Sequence, residues 1–263
     1  MAAGRAGLMV LGLTLLCGAP HAARAQETPE LLTSISESRL FAPGERLTYS
    51  VRVGAFGRGR AVAEIIGADT LRGRTVYHTI FKLDGSLLFF KVNDLYESWF
   101  DPTTLVSLRY HQNIDQGPYE RDRRFEIFPE RGTYVDANDV ELPTVMRPLD
   151  DGAFLYFLRT IPLEVGQTYT FNRYFKPDRN PVTIVVVRRE RIRVPAGEFD
   201  AVVLQPKIKA KGIFAEGANA EVWIEDGGSR MMLQMKTRLP FGGVTFQLSR
   251  REIVPVIAAA SPR

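Results

Sequence analysis

The chain has 263 residues, of which 34 are Lys or Arg, 30 are Asp or Glu and one is Cys. A formal net charge of +4 is too small to provide the basic surface that nucleic-acid binding needs. A single cysteine excludes an internal disulfide, so the fold must be stabilised by burial of apolar side chains, for which the chain is long enough.

The first 25 residues have the pattern of a secretory signal peptide. Arg5 supplies the positive charge, Leu8–Leu16 form an apolar core, and Ala23 and Ala25 are the small residues of a cleavage site. The apolar core is too short for a transmembrane helix, which needs roughly 20 residues. We therefore expect cleavage after Ala25, export to the periplasm or cell envelope, and no transmembrane segment in the mature chain.

Cys17 supports an alternative, a lipoprotein that is acylated at this cysteine. Lipoprotein processing needs a small residue before the cysteine, whereas Leu16 occupies that position. Release without a lipid anchor is therefore favoured, and cleavage after Ala25 removes the cysteine from the mature chain.

The sequence pattern of the mature chain is typical of a single β domain. Residues 26–43 are polar and predict a flexible lead-in, 44–254 form a single domain, and 255–263 are a C-terminal tail. Leu47–Val53 alternates apolar and polar residues as a half-buried strand does, and a glycine-rich turn leads to a second strand at Ala61–Ile66. Further strands are predicted at Thr75–Leu83, Phe89–Phe100, Leu105–Gln112, Arg123–Phe128, Gly132–Val135, Thr168–Tyr174, Val182–Val194, Asp200–Pro206, Ala220–Glu225, Met231–Thr237 and Gly243–Ile253.

One segment breaks the alternation. An aspartate pair, Asp150 and Asp151, precedes a run that is apolar around most of its circumference, which predicts a short buried helix near 152–160. The predicted fold is therefore all-β: a strongly curved antiparallel sheet, as an open barrel or a two-layer arrangement, with one buried helix. A closed lipocalin-like barrel and a plain sandwich are the competing architectures.

Several stretches resemble a known bacterial family. They are Gly44–Gly54 with Gly59, Asp151–Arg159 before Gly166, Val194–Asp200, and Glu221–Asp226 with the later turn at Gly242 and Gly243. Over roughly Phe41–Val254 the chain resembles the family catalogued as domain of unknown function 3108. The resemblance implies an envelope protein and supplies no catalytic residue, because the family has no established activity. Arg52 and Val53 stand where many members have a Trp, so no role of that Trp carries over.

The sequence contains no arrangement of residues that commits it to a reaction. A serine hydrolase needs an activated nucleophile, a base and an orienting acid, and no G-x-S-x-G motif is present. His78 and His111 are interpreted as structural residues of strands, and they are too few for a zinc site. A hydrolase that uses His111 or scattered carboxylates remains an alternative; the carboxylates considered are Glu64, Asp94, Glu97 and Glu225.

Metal and cofactor sites are not expected either. The acidic loop Asp136–Glu141 has oxygen ligands suited to calcium but lacks the spacing of an EF-hand, and turn-forming composition explains it better. No glycine-rich loop leads into a helix, so no nucleotide cofactor is predicted. Two arginine-rich stretches, Arg188–Arg193 and Arg121–Arg124, are interpreted as solvated strand faces rather than anion sites.

Aromatic residues are the feature that most favours binding. Large rings are abundant on the alternating strands, which indicates either a well-filled core or a cavity that holds an apolar or glycan ligand. The candidate ligand-binding residues are Trp99, Tyr110, His111 and Trp223. A non-catalytic binding role, toward such a ligand or an envelope protein, is the first functional prediction. The alternatives are the hydrolase and a scaffold in an envelope-polymer or export assembly.

Overall fold

The computed structural model describes residues 40–55, 57–87, 90–209, 219–239 and 242–256. The predicted signal peptide, Cys17 and most of the predicted lead-in lie outside these residues. In the described ranges, no helix combines the length and the hydropathy that crossing a membrane requires.

The described residues form fourteen strands and one α-helix. The strands are β1 (Glu45–Val53), β2 (Gly57–Leu71), β3 (Arg74–Leu87), β4 (Phe90–Phe100), β5 (Ser107–Gln116), β6 (Tyr119–Phe128), β7 (Thr133–Val135), β8 (Glu141–Pro143), β9 (Thr168–Phe171), β10 (Val182–Val194), β11 (Gly197–Lys207), β12 (Glu221–Glu225), β13 (Met232–Leu239) and β14 (Gly242–Ile253). The helix α1 (Asp151–Phe157) lies between β8 and β9 in the chain. Short 3-10 turns lie at Pro129–Arg131, Leu158–Thr160 and Pro177–Arg179.

All fourteen strands belong to one antiparallel sheet. Its order runs from β8 down to β1, continues with β14, and then runs down to β9. The first and last strands in sequence therefore pair in the middle of the sheet, and each half is a simple meander. Among the described strands, β8 and β9 each have one partner and form the two edges, so these strands do not close the sheet by hydrogen bonds. This confirms the predicted open antiparallel sheet and disfavours the closed-barrel alternative.

The sheet is strongly curved. Phe81 in β3 and Phe246 in β14 have ring centroids 6.2 Å apart, although three strand spacings separate them, about 14 Å in a flat sheet. Gly59 and Gly85 face each other across β2 and β3. A Cβ atom on Gly59 would lie 2.6 Å from the carbonyl oxygen of Asp84, so this close approach of two backbones requires glycine.

The connections beyond the edge strands bring the two halves together. Leu149 and Tyr174 form a parallel bridge, and the Thr144 hydroxyl donates to the Phe175 carbonyl at 2.6 Å. One half thereby contacts the other through backbone segments that follow β8 and β9. The result is a barrel-like shape around one main apolar core.

The helix fills the interior at the junction of the two halves. The Asp150 side chain caps it by accepting from the amides of Gly152 and Ala153. On one side the Tyr156 ring lies 5.3 Å from Phe100. The predicted helix is confirmed, but its last predicted residues, Leu158–Thr160, adopt a 3-10 turn.

Candidate functional site

The N-terminal end of α1 rests on a fully buried row of side chains. This buried row takes one residue from each of β2 to β6, namely Ile65, Thr79, Ser98, Tyr110 and Phe125. The Ser98 hydroxyl donates to Asp150 Oδ2 at 2.7 Å, and the Asp150 amide donates to Ser107 Oγ at 2.9 Å. A Cβ atom at Gly152 would lie 2.7 Å from Ser98 Cβ. The start of the helix therefore packs tightly on Ser98 in the middle of this row, and the buried row leaves no surface for a ligand.

Next to the buried row lies a parallel row that the helix leaves half-buried. This concave row consists of Ala63, Phe81, Tyr96, Gln112 and Arg123, which are paired across β2 to β6. Each residue is two positions from its neighbour in the buried row, so both rows project from the same face of the sheet. The concave row is apolar at its β2 and β3 end and becomes polar toward β6.

More apolar surface surrounds the β3 end of the concave row. Leu83, Val53 and Leu155 are partly buried and pack against the main core. Leu83 follows Phe81 by two residues in β3, and Val53 pairs with Val244 beside Phe246. Apolar side chains from the sheet and from α1 are thus half-exposed on the concave side, where a ligand could complete their burial.

A network of hydroxyl and carboxylate groups lies beside the polar end. Tyr110 and Tyr174 donate to the two oxygens of Asp151, each at 2.9 Å. Gln112, from the concave row, donates to the Tyr110 hydroxyl oxygen at 2.9 Å. Burial raises the pKa of Tyr110 and Tyr174 well above the ordinary value, and the Asp151 charge raises it further. Both phenols are therefore neutral donors at physiological pH and serve to position Asp151.

A second carboxylate, that of Asp94, lies on the same face of β4 as Tyr96, two residues before it. It is 1% exposed and accepts from the Gln116 amide group at 2.7 Å and the Asp115 backbone amide at 3.1 Å. Burial raises the pKa of Asp94 although these hydrogen bonds oppose the rise. Burial, then the charges of Asp94 and Asp151, also raises the pKa of Tyr96, so its phenol stays neutral in the concave row.

Two of the four candidate residues from the sequence lie together on the opposite face of the sheet. Trp99 stacks on His78 with ring centroids 4.2 Å apart, and Arg109 lies 5.5 Å from the Trp99 ring. His78 and His111 both bind Glu97, at 3.1 and 2.8 Å. Trp99 and His111 are therefore linked through His78 and Glu97, outside the concave side.

The other two candidates are buried in separate places. Tyr110 is 1% exposed and belongs to the buried row, so it faces away from its neighbour His111. Trp223, in β12, is 2% exposed; its indole donates to Glu190, and Arg188 and Lys236 lie over the ring at 5.7 and 5.1 Å. The structure does not bring the four residues into one site, and their ligand-binding role stays a prediction.

His111 is poorly placed to act as a catalytic base. Its Nδ1 contacts Glu97 at 2.8 Å and its Nε2 contacts Asp122 at 3.1 Å. Because carboxylates occupy both ring nitrogens, neither nitrogen is directed at a nucleophilic hydroxyl or thiol. The arrangement fits the interpretation of this histidine as a structural residue of its strand.

The other carboxylates considered for hydrolysis also have structural partners. Glu64 binds Arg46 through two hydrogen bonds of 2.7 and 2.9 Å, and Glu225 accepts from the Ser229 hydroxyl. Asp94 and Glu97 lie on opposite faces of β4, because three residues separate them. These contacts distribute the four groups over different parts of the sheet instead of pairing them across a cleft.

The acidic loop between β7 and β8 forms a turn. Asp136 accepts from the backbone amides of Asn138 and Val140 at 2.8 and 3.1 Å, and these bonds lower its pKa. The loop is thus a turn stabilised by a hydrogen-bonded Asp side chain, as its composition suggested. Among the residues that the structure describes, no group of three or more His, Cys, Asp or Glu has a geometry that could hold a metal ion.

The two arginine-rich stretches differ in the structure. Arg191 and Arg193 are exposed and pair with Glu198, as expected of a solvated face. In β6, Arg124 is exposed, whereas Arg123 is half-buried in the concave row. The alternation of β6 was a signal in the sequence: Arg123, Phe125 and Ile127 share one face, so the solvated-face interpretation was wrong for Arg123.

Comparisons with known proteins bear on the family and the fold. The model of a family described as "Protein of unknown function (DUF3108)" matches residues 48–249. A solved structure, the beta-barrel-like protein of domain of unknown function DUF1849 from Brucella abortus, is similar with a TM-score of 0.53 and 13% identity. The match covers 82% of this chain and 100% of that chain, and at such identity it shows the fold alone. A search of curated proteins gives no match.

Proposed function

The chain belongs to the DUF3108 family, and we propose that it is a non-catalytic binding protein whose concave row holds the apolar chain of an amphiphile. We further propose that it acts in the periplasm or cell envelope, after cleavage of the predicted signal peptide behind Ala25. The family description gives no activity, so the proposal depends on the geometry of the concave side.

One observation carries the proposal. The buried row and the concave row have the same orientation and lie next to each other, yet only the first is fully covered by other side chains. Phe81 and Tyr96 therefore keep part of their apolar surface in water at the inside of a curved sheet. Each methylene group of a ligand that leaves water on this surface contributes about 0.8 kcal/mol, so a short alkyl chain is sufficient for measurable affinity.

The chemistry of the surrounding groups favours binding over turnover. Asp151 is held by the hydroxyls of Tyr110 and Tyr174, and Asp94 by Gln116 and a backbone amide. A carboxylate that accepts hydrogen bonds in this way is held in a fixed position beside the concave row. It is not available as a general acid or base.

Replacing Phe81 with Asp is expected to lower the affinity for a neutral fluorescent apolar probe, N-phenylnaphthylamine, at least tenfold. The substitution removes the half-exposed phenyl ring of the concave row and places a charge against the alkyl chain. Phe81→Ala should lower the affinity severalfold without adding a charge. Fluorescence titration of the purified mature protein measures both effects, and circular dichroism checks the fold.

A matched control is Ile66→Asp, which introduces the same charge at an apolar side chain 41% exposed in the neighbouring strand β2. Ile66 lies outside the concave row, so this variant should bind the probe like the wild type. Equal affinities for the wild type and both Phe81 variants would exclude the concave row as the binding surface.

Export has its own test. When the full chain is produced in a Gram-negative host, mass spectrometry of the periplasmic protein should give an N-terminus at Gln26. A mature chain that starts at Cys17 with an attached lipid would support the lipoprotein alternative instead. A chain that retains Met1 in the cytoplasm would contradict export.

A further inference from the structure

The polar end of the concave row carries a positive charge at Arg123. Gln112 and Arg123 pair directly across β5 and β6, and Arg123 is half-buried. Phe125, two residues later on the same face, belongs to the buried row. Arg123 therefore stands at the register position where the apolar lining of the concave row ends, next to Phe125 of the buried row.

Two further cations lie over that aromatic surface. Lys176 Nζ is 4.4 Å from the centre of the Phe125 ring and 5.2 Å from that of Phe175. Arg179 lies 5.3 Å from the Tyr174 ring and donates to the Tyr174 hydroxyl at 3.1 Å. The rings are contiguous, since Phe175 lies 5.3 Å from both Phe125 and Tyr174. Lys176 and Arg179 thus lie over one aromatic platform, and the charge of Arg123 acts on Lys176; we call these three residues the cation cluster.

Among the described residues the cation cluster has no ion pair, whereas two arginines of β5 and β10 do. Arg109 binds Glu126 at 2.5 Å, and Arg188 binds Glu221 at 2.8 Å. In the described part of the chain, no carboxylate oxygen lies within 4.0 Å of a nitrogen of the cation cluster. Three half-buried positive groups therefore lie near each other, and none of them has a direct ion pair.

This arrangement disfavours the charged form of Lys176. Burial lowers its pKa, and the neighbouring Arg179 and Arg123 lower it further; the charges of Asp151 and Asp178 oppose this shift without cancelling it. An anion bound between the cations would remove the repulsion and favour the ammonium form. Phosphate and carboxylate groups match the planar donors of arginine and the point charge of lysine.

We propose that Arg123, Lys176 and Arg179 bind the anionic head group, a phosphate or a carboxylate, of an amphiphile whose alkyl chain lies along Tyr96 and Phe81. This proposal rests on the proposed function and adds the class of ligand: an amphiphile with an anionic head group, not a neutral one. Asp151, which Tyr110 and Tyr174 hold in place, forms the wall next to the head group.

The test compares octyl phosphate, octyl glucoside and inorganic phosphate as ligands of the mature protein, below the critical micelle concentrations of the two amphiphiles. Isothermal titration calorimetry at low salt is expected to give at least tenfold tighter binding of octyl phosphate than of octyl glucoside. The double variant Lys176→Gln and Arg179→Gln should abolish this preference while affinity for octyl glucoside stays within twofold. Arg124→Gln, an exposed arginine on the opposite face of β6, is the control and should keep the preference.

The outcomes separate the two proposals. If octyl glucoside and octyl phosphate bind equally well to the wild type and the double variant, the cation cluster has no role but the apolar site stands. If neither amphiphile binds, the proposed function itself fails, and this inference fails with it. If inorganic phosphate binds as tightly as octyl phosphate, the ligand is a free anion and the head-group assignment is wrong.

Discussion

Replacing Arg159 with Met is expected to lower the free energy of unfolding by about 3–5 kcal/mol. Arg159 Nη1 binds Glu45 Oε1 at 2.5 Å, and the two side chains are 3% and 4% exposed. The guanidinium group also donates to the carbonyl oxygens of Leu40 and Ser229. Without Arg159, Glu45 would remain as a buried charge with no cation beside it, and two carbonyl groups would lose a donor.

The Arg159 pair joins β1 to the 3-10 turn that follows α1, so it fixes the helix inside the sheet. Urea denaturation of the wild type and the Arg159→Met variant measures the difference in their free energies of unfolding. A double variant, Glu45→Met and Arg159→Met, removes both charges and should recover part of the stability that Arg159→Met loses. Arg131→Met, which breaks a pair with Glu141 whose side chains are 49% and 52% exposed, should cost less than about 1 kcal/mol. A loss below 1 kcal/mol for Arg159→Met would mean that the pair does not hold α1 in place.

Replacing Asp150 with Asn is expected to change how stability depends on pH. Burial raises the pKa of Asp150 from 3.8 to about 7, although hydrogen bonds from Ser98 and the helix amides oppose the rise. At a pH between these two pKa values, Asp150 keeps its proton in the folded state and has released it in the unfolded state. The contribution of this group to stability is therefore fully present below about pH 4 and is lost as the pH rises to about 7.

The size of this effect follows from about 1.4 kcal/mol for each pH unit. From pH 5 to pH 8, the wild type should lose about 2–3 kcal/mol that Asp150→Asn does not lose. Denaturation at both pH values measures the difference between the two proteins. Met146→Asn introduces the same amide at a side chain 87% exposed and should follow the wild type. If the stability difference between Asp150→Asn and the wild type is the same at both pH values, Asp150 is ionised throughout and its raised pKa is wrong.

Some features were predictable because they depend on local sequence. The alternation in Leu47–Val53 predicts a strand whether or not its partners are known, and β1 has these residues in place. Asp150 before an apolar run predicts a capped helix, since the cap needs only its own amides. The glycine turns likewise mark hairpins, which explains why a meander of antiparallel strands could be expected.

The candidate site was less predictable, because it depends on register between strands. Alternation shows that Tyr110 and His111 face opposite sides, but only the pairing of Tyr96 with Phe81 and Gln112 shows which residues share a row. Nor does the sequence of β6 reveal that Lys176, more than fifty residues later, lies over Phe125. Such contacts arise from the curvature of the sheet and from the segments that join its two halves.

Methyl NMR during titration with octyl phosphate locates the ligand directly. With the alkyl chain along the concave row, the methyl resonances of Leu83, Val53 and Leu155 should shift with a common dissociation constant. Those of Val140, 47% exposed in the β7–β8 loop, and of Val203, buried in β11, should not shift. Shifts confined to Val140 and other residues outside the concave side, with Leu83 and Leu155 unchanged, would contradict binding inside the curved sheet.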